Sequence, residues 1–487
     1  MRYFYLLLPF IVLINTLAAN AQNWSTPVLI SDMPGINNNQ DMCIDRAGTR
    51  HVVWSHKVTG GYWTIMYTKS TTGGTTWSTP DTIVNIPGAW LYEPHIVSDT
   101  LNNLFVSFDS ISQGGSFGQV YLKTKQGEQW GTHMRISNEY ELAMHHLMTI
   151  DGNNRLYIFW NGYYNQNAKF IYKYLENGVW STQIIPFVDS NYYSLRSVKT
   201  DKLNNILCNG LFKYFGQGGS YPRVFYTKYE SVSNSWQTIE DMNIYNSDHG
   251  CDIAIDTALF PNLVWGQYTN TAYPFEHATI FKKQNLWGWG DSDTITKDEE
   301  YNQKMTIDKN NTVHIIDCYV LPDNNTLTTF NYYTIAADGW SKEILDENGS
   351  IIMFDIETTN VSVDIVYVKM IAWPGPDSAR TYYINKSILV GLPQTVGKGQ
   401  PLFVYPNPCN AQTTIEAYPP KPIPVSLFIV DVNGKMVKTF FVNKTLSHKI
   451  ETIWDLTGDN ARLIPSGTYL LVLKSEKFIY VKQIIKL

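Results

Sequence analysis

Charge is scarce in this 487-residue chain: only 16 % of its residues are Asp, Glu, Lys or Arg, and no basic run occurs anywhere. The 37 basic and 43 acidic residues leave a formal net charge of -6, so a nucleic-acid partner has no electrostatic footprint. Cysteine is scarce as well. Cys43, Cys208, Cys251, Cys318 and Cys409 are odd in number and irregularly spaced, which matches neither a disulfide framework nor a metal knuckle and predicts buried, inert thiols. No metal site and no cofactor is assigned from the sequence. Beyond the first twenty or so residues no apolar stretch is long enough to span a bilayer, so the mature chain is expected to have no transmembrane segment. Helix formers are few in each segment, and disorder is disfavoured by an apolar content of 44 %.

Aromatic residues are plentiful: 32 Tyr, 21 Phe and 15 Trp make up 14 % of the chain. With abundant Thr, Asn and Gly, this composition suits strands and tight turns. Residues 1–21 read as a cleavable signal peptide, with Arg2 as the lone charge, an apolar run from Leu6 to Leu17, and small residues at Ala19-Asn20-Ala21 before Gln22. No Cys follows the cut, which argues against a lipoprotein.

The middle of the chain is periodic. An Asp closes a short apolar run, a turn follows, and a second strand reaches a marked position, most clearly an aromatic, nine residues on. Ile44-Asp45 leads to His51-Val52-Val53-Trp54, and Ile150-Asp151 leads to Leu156-Tyr157-Ile158-Phe159-Trp160. Further copies start at Asp99, Asp201, Asp256, Asp308 and Asp355, giving separations of 54, 52, 50, 55, 52 and 47 residues. Asn or Gly commonly follows the Asp by two to four positions, as in Gly152-Asn153-Asn154 and Asn310, and such residues suit a hairpin turn because they tolerate positive φ. Trp77, Trp130, Trp180, Trp236, Trp289 and Trp340 keep the same beat. The seventh copy lacks its Trp, but an extra one, Trp24, precedes the first copy. Ring closure by the strand from Trp24 to Ile30 explains both, and removes free sheet edges. A period near 50 with four strand-like segments per unit predicts an all-β chain built on a seven-bladed β-propeller over residues 22–396. Six blades is the alternative if the poorly marked last copy is not a blade.

Ser70-Thr71-Thr72-Gly73-Gly74-Thr75-Thr76-Trp77 resembles the Asp-box of sialidase-type propellers, with Thr72 in place of the defining Asp. The resemblance implies the propeller fold and says nothing of activity. The last stretch, 397–487, combines Tyr405-Pro406-Asn407-Pro408, the strand Val425 to Val430, Asp431-Val432-Asn433-Gly434 with its expected hairpin turn, Trp454-Asp455 and Ser466-Gly467-Thr468-Tyr469. These short strands predict a small immunoglobulin-like β-sandwich. In order and spacing they are similar to the C-terminal sorting domain of type IX secretion cargo. That resemblance implies handling by the outer-membrane translocon and a protein released or attached to the outer cell surface.

A propeller's innermost strands converge on a central funnel. Just ahead of the repeat Asp residues lie Gln40 and Asp41, Glu93 and His95, His145 and His146, Tyr193 and Arg196, His249 and Asp252, and Tyr301, Gln303 and Lys304. Four of the ten histidines fall in these segments, which motivates a site there. A sialidase would need three arginines from different blades, yet only Arg196 sits in such a segment and no Phe-Arg-Ile-Pro motif is present. A polysaccharide lyase needs a cation on a uronate carboxylate and a proton acceptor beside it. Arg196 supplies the cation, His146 or His249 the base, and Tyr193 its acid or base partner. The chain resembles seven-bladed lyases of acidic seaweed polysaccharides in blade count and residue type. Asp41, Glu93, His95, Asp252, Tyr301 and Lys304 are the expected substrate-binding residues. A metal held by histidines of neighbouring blades is a further option. The leading expectation is a monomer that binds extracellular or surface glycan, with Trp63, Trp90, Tyr163, Tyr164 and Trp373 as candidate stacking faces. A glycan-cleaving enzyme and a protein-interaction or adhesion propeller are the alternatives. His51 and His314, in mid-strand, are expected to be structural.

Overall fold

The computed structural model describes residues 24–388 and 402–487, apart from 113–114, 116–117, 139–141, 165–166, 214–221, 243–249, 269–276, 286–287, 298–299, 321–327, 337–338, 372–378, 418–422, 432–435, 447–448, 460–461 and 476–478. The signal-peptide segment and the Asn433-Gly434 turn lie outside the described residues. Among those that are described there is no α-helix.

The chain falls into two compact units, Met1–Ile388 and Leu389–Leu487; the expected boundary after 396 lies outside the described residues. The first unit is a β-propeller whose strands form successive antiparallel groups of four. The first is Ile36–Ile44, Arg50–Lys57, Trp63–Ser70 and Asp81–Asn85. Equivalent groups begin with the inner strands Ala89–Ser98, Met144–Ile150, Tyr192–Thr200, Cys251–Ile255 and Glu300–Ile307. The long strand Gly339–Thr358 pairs through Gly339–Gly349 with the group before it and through Ser350–Thr358 with Ser362–Met370, so it ends one group and starts the next. That last group is completed by Ala379–Ser387 and by Val28–Ser31 from the other end of the chain, with Val28 opposite Tyr383. The closing strand inferred from Trp24 is therefore present.

The repeat Asp is a turn device. Its Oδ1 accepts the backbone N–H groups two and four residues on, at Leu101 and Asn103 for Asp99 and at Asn153 and Arg155 for Asp151, all at 2.8–2.9 Å. Asp201, Asp256 and Asp308 do the same. The residue three past the Asp is left-handed, and it is Gly48, Asn102, Asn154, Asn204, Leu259 or Asn311, with φ between 63° and 80°. All four of these Asn side chains also accept the N–H of the preceding group's turn: Arg46 to Asn102, Thr100 to Asn154, Gly152 to Asn204 and Thr257 to Asn311. Adjacent turns are thus stitched around the ring.

Asp355 is the exception to the sequence reading. In the last group the turn is made by Thr359, whose Oγ1 accepts the N–H of Val361 and Ser362 at 3.0 and 2.9 Å. Asp355 sits four residues earlier, inside the inner strand. A threonine hydroxyl performs the same Asx-type capping with one carbon less reach, and this substitution hid the true copy.

The periodic tryptophans are wedges between groups. Trp77, Trp130, Trp289 and Trp340 meet Tyr383, Tyr67, Tyr226 and Phe281 edge-on at 5.0–5.2 Å, each ring lying on the third strand of the preceding group. Trp24 fills the same role against Tyr332 at 4.9 Å, and its indole N–H donates to Glu343 at 3.0 Å. In the Asp-box-like turn, Thr72 Oγ1 accepts the Thr76 N–H at 2.9 Å, so the hydroxyl replaces the missing carboxylate. Gly74 is required there: a Cβ at that position would stand 2.1 Å from the Tyr383 ring.

The second unit packs a three-stranded sheet, Leu402–Tyr405, Thr413–Ala417 and Ile450–Trp454, with a four-stranded sheet, Met436–Leu446, Ile423–Asp431, Gly467–Lys474 and Ile479–Lys486. Leu402, Ile415, Leu427, Ile429, Trp454 and Leu471 share the core between them. Alternating apolar residues on each strand supply that core, as a two-sheet sandwich demands.

Candidate functional site

The inner strands are not regular. Each of the first three and that of Glu300–Ile307 carries a bulge, with register breaks at Asn38/Asp41, Tyr92/His95, Met144/Leu147 and Tyr301/Lys304. Asn39, Glu93, His145 and Asn302 sit at these breaks with φ of 47–56°. A bulge inserts an extra residue and re-aims its neighbours. Here the consequence is a cavity of about 340 Å³, lined by Asp41, Glu93, His95, His145, His146, Arg196, Gln303, Lys304 and Asp355 among others. It lies at the end of the inner strands remote from the Asp turns.

Counting back four residues from each turn gives one ring position: Asp41, His95, Leu147, Ser197, Asp252, Lys304 and Asp355. Three carboxylates of this ring tie one group to the next. Asp41 accepts the Ile96 N–H at 2.7 Å, Asp252 accepts that of Met305 at 2.8 Å, and Asp355 accepts that of Met42 at 3.2 Å. A second cavity, of about 250 Å³, continues past this ring between Asp252, Lys199, Glu357 and Lys304.

Carboxylates and imidazoles are paired at the mouth. Glu93 lies 2.9 Å from His145 Nδ1, and Asp109 lies 2.7 Å from His146 Nδ1. Asp41 lies 3.6 Å from His95 Nδ1, and the His95 and His146 rings meet edge-on at 5.0 Å. The hydrogen bond to Glu93 holds the His145 pKa above its ordinary value, and Glu93 is lowered because His145 overcomes the cost of its burial. Burial opposes charge on His95, but Asp41 outweighs it and raises that pKa as well. Burial and the nearby Asp41 charge push Asp355 up to about 7, against the pull of Lys304. Arg196 is exposed, and among the described residues neither Arg196 nor Lys304 forms an ion pair. The cavity therefore presents one exposed cation, Arg196, with no ion-paired carboxylate, and a second, Lys304, whose pKa is raised by Asp252, Asp355 and Asp41 against the cost of its burial.

The placements of the expected residues differ. Asp41, Glu93, His95, His146, Arg196 and Lys304 line the cavity together. Asp252 lines the inner extension, where Ser197 Oγ and the Met305 N–H bond it. Tyr193 is corrected: it is 3 % exposed, packed among Phe170, Phe212 and Phe225, and its hydroxyl donates to Asp189 at 2.6 Å. Strand alternation turned Tyr193 to the packed side, while Arg196, the residue at the register break between Leu195 and Ser197, lines the cavity. The His146 side chain is fully closed to solvent, whereas His145 is 54 % exposed. His249 lies outside the described residues, as do Trp373 and the side chains of Tyr301, Tyr163 and Tyr164. Asp109, Asp355 and Glu357 were missed. Asp109 comes from a second strand, which the entrance rule ignored, and Asp355 and Glu357 were displaced by the Thr359 turn. His51 and His314 bond Tyr67 and Tyr332 within their own sheets. Among the described residues no cluster of His, Cys, Asp and Glu is arranged to hold a metal ion.

Residues 403–487 match the secretion system C-terminal sorting domain. No curated protein matches the chain. An ulvan lyase of polysaccharide lyase family 25, solved bound to glucuronic acid and sulfated rhamnose, is similar in fold, with a TM-score of 0.52, 9 % identity, and 73 % of this chain and 95 % of that chain covered. Another ulvan lyase structure of that family has a TM-score of 0.50 at 9 % identity, covering 74 % and 93 %. The NanB sialidase from Streptococcus pneumoniae gives 0.41 at 11 % identity over 76 % and 71 %. At 9 % identity the likeness to the ulvan lyases speaks for the propeller fold alone. With its tail matched to the sorting domain, the chain is cargo of the type IX secretion system, exported to the outside or held at the cell surface, with a β-propeller as its body.

Proposed function

We propose that the propeller binds an acidic extracellular polysaccharide in the mouth of its central cavity, after export directed by a signal peptide at residues 1–21 and by the sorting domain. The strands' successive groups are read as seven blades around that cavity. The observation that carries the reading is Arg196, exposed and in no ion pair among the described residues, with Lys304 in the same cavity of about 340 Å³. A guanidinium with exposed donors suits a uronate carboxylate or a sulfate, either of which it can grip with two parallel hydrogen bonds. His95 and His145, whose pKa values are raised, add positive charge as the medium becomes more acidic.

A second reading, β-elimination, is favoured by Glu93 and His145. Glu93 engages Nδ1 of an imidazole that is 54 % exposed at the mouth and within the field of Arg196. With Arg196 neutralising a uronate carboxylate, His145 would take the proton beside it. The electron pair then forms the ring double bond, the glycosidic carbon–oxygen bond breaks, and the leaving oxygen takes a proton. This places the base one residue before His146, whose imidazole is enclosed.

The test is a panel of alginate, pectate, chondroitin sulfate and ulvan, run with and without chelator. Retention in an affinity gel is expected for at least one carboxylated polymer, and Arg196→Ala should weaken it about tenfold. No retention of any acidic polymer would overturn the binding reading. Elimination would show as unsaturated-product absorbance that His145→Ala abolishes. Retention without that absorbance leaves binding as the function.

A further inference from the structure

One cluster of exposed aromatic rings lies beside the cavity and is not part of its charged lining. Trp90 is 43 % exposed, while Trp63 and Tyr92 beside it are half-buried. Trp63 meets Tyr92 at 5.3 Å between ring centroids, and Trp90 meets Tyr92 at 6.3 Å. Their placement follows from the topology. Trp63 opens the strand Trp63–Ser70, on the end of the sheet opposite the Asp45 turn, and Trp90 lies near the start of Ala89–Ser98. Both are therefore at the mouth end. The strand that carries Trp90 runs directly on to Glu93 and His95, which line the cavity. At about 3.3 Å per residue, Trp90 stands about 10 Å from Glu93 along that strand.

The cluster is also fixed in position. The Trp63 and Tyr92 rings lie against each other, and the Lys57 ammonium sits 5.9 Å from the centre of the Trp63 ring. Rings held in place by such contacts lose little freedom when a ligand stacks on them. An exposed aromatic face whose edges are polar and cationic is suited to a pyranose ring bearing an acidic group, because the apolar face of the sugar covers the π-system while its anion meets the ammonium.

We infer that Trp63, Trp90 and Tyr92 form a stacking subsite for a sugar of the same acidic polysaccharide, outside the charged cavity and continuous with it. The inference rests on the glycan reading above and deepens it: the binding path runs from Arg196 past Glu93 to the aromatic platform, so the protein recognises a run of sugars. A disaccharide seated at Arg196 would leave the platform uncovered, and a longer chain would reach it.

The full chain and its variants are titrated with a disaccharide and an octasaccharide of the polymer retained in the panel, with tryptophan fluorescence and calorimetry as readouts. Wild-type protein is expected to bind the octasaccharide more tightly than the disaccharide, with fluorescence quenched by the longer ligand alone. Trp90→Ala should weaken octasaccharide binding about tenfold and leave the disaccharide unchanged. Trp90→Tyr, which keeps an aromatic face, should restore most of the loss. Circular dichroism of each variant checks that it is folded; Trp90 is exposed enough that truncation leaves the core intact. If Trp90→Ala and Trp63→Ala both bind the octasaccharide as the wild type does while Arg196→Ala weakens both ligands, the platform is overturned and the cavity reading stands. If Arg196→Ala binds both ligands normally, the cavity reading fails. If no acidic polymer is retained by the wild-type chain, both are overturned.

Discussion

A single side chain shows how much the turn chemistry matters. At the left-handed position of six turns the residue is Gly, Asn or Leu259, and only Leu259 lacks both a tolerant backbone and a side-chain acceptor. A branched apolar residue at φ of 70° costs on the order of 1 kcal/mol. Leu259→Asn should relieve that strain and also offer the Lys202 backbone N–H the acceptor that its counterparts at Arg46, Thr100 and Gly152 enjoy. The expected result is a thermal midpoint raised by about 2 °C in scanning calorimetry; a lower midpoint would contradict this account of the turn. Asp355 gives a second test. Its pKa of about 7 against an unfolded value of 3.8 means the folded chain keeps a proton that the unfolded chain has released. Stability contributed by that proton is thus lost as pH rises from about 4 to about 7. Asp355→Asn, which keeps an acceptor for the Met42 N–H, should exceed wild type in thermal midpoint above about pH 7, with the gain vanishing near pH 4. The sequence could name Asp41, His95 and Lys304 because each falls four residues before a visible turn, and Arg196 because it lies one residue further back from its own. Asp355 broke that rule only because a hydroxyl took over the cap.

Among elements, the closing strand is the most exposed to test. Val28–Ser31 belongs to the far end of the chain, yet completes the last sheet and is anchored by Trp24 on Tyr332 and Glu343. Trp24→Ala removes a wedge and a hydrogen bond, and should cost about 2 kcal/mol. A broader unfolding transition is also expected, because the opened ring has a free edge on Ala379–Ser387. Urea titration monitored by fluorescence checks both. This element was legible from Trp24-Ser25-Thr26-Pro27 matching Trp77-Ser78-Thr79-Pro80, since the wedge needs the same residues wherever it sits. The bulges of the inner strands were not legible. Asn39, Glu93, His145 and Asn302 share a backbone conformation but are two Asn, a Glu and a His, so no single letter marks them. Because a bulge reverses which side chains face inward, reading Tyr193 as a cavity residue from spacing alone was bound to fail.

At the scale of the molecule, the tail and the body answer different questions. The tail, matched over residues 403–487, directs export, and deleting residues 397–487 should leave the propeller foldable but retained inside the cell envelope; cell fractionation checks this. The body holds the cavity, which should respond to pH. The His95 and His145 pKa values are raised, so both carry charge at acid pH and lose it as pH rises through the neutral range. Affinity for a polyanion should therefore fall from about pH 6 to about pH 8. The central claim is that Arg196 and Lys304 make this cavity a site for acidic glycan. It is tested most directly by comparing the dissociation constant of one uronate polymer with that of the same polymer after its carboxyl groups have been reduced to alcohols. Binding of the native polymer and at least a tenfold loss with the reduced one is the result expected here. Equal affinity for the two would contradict it.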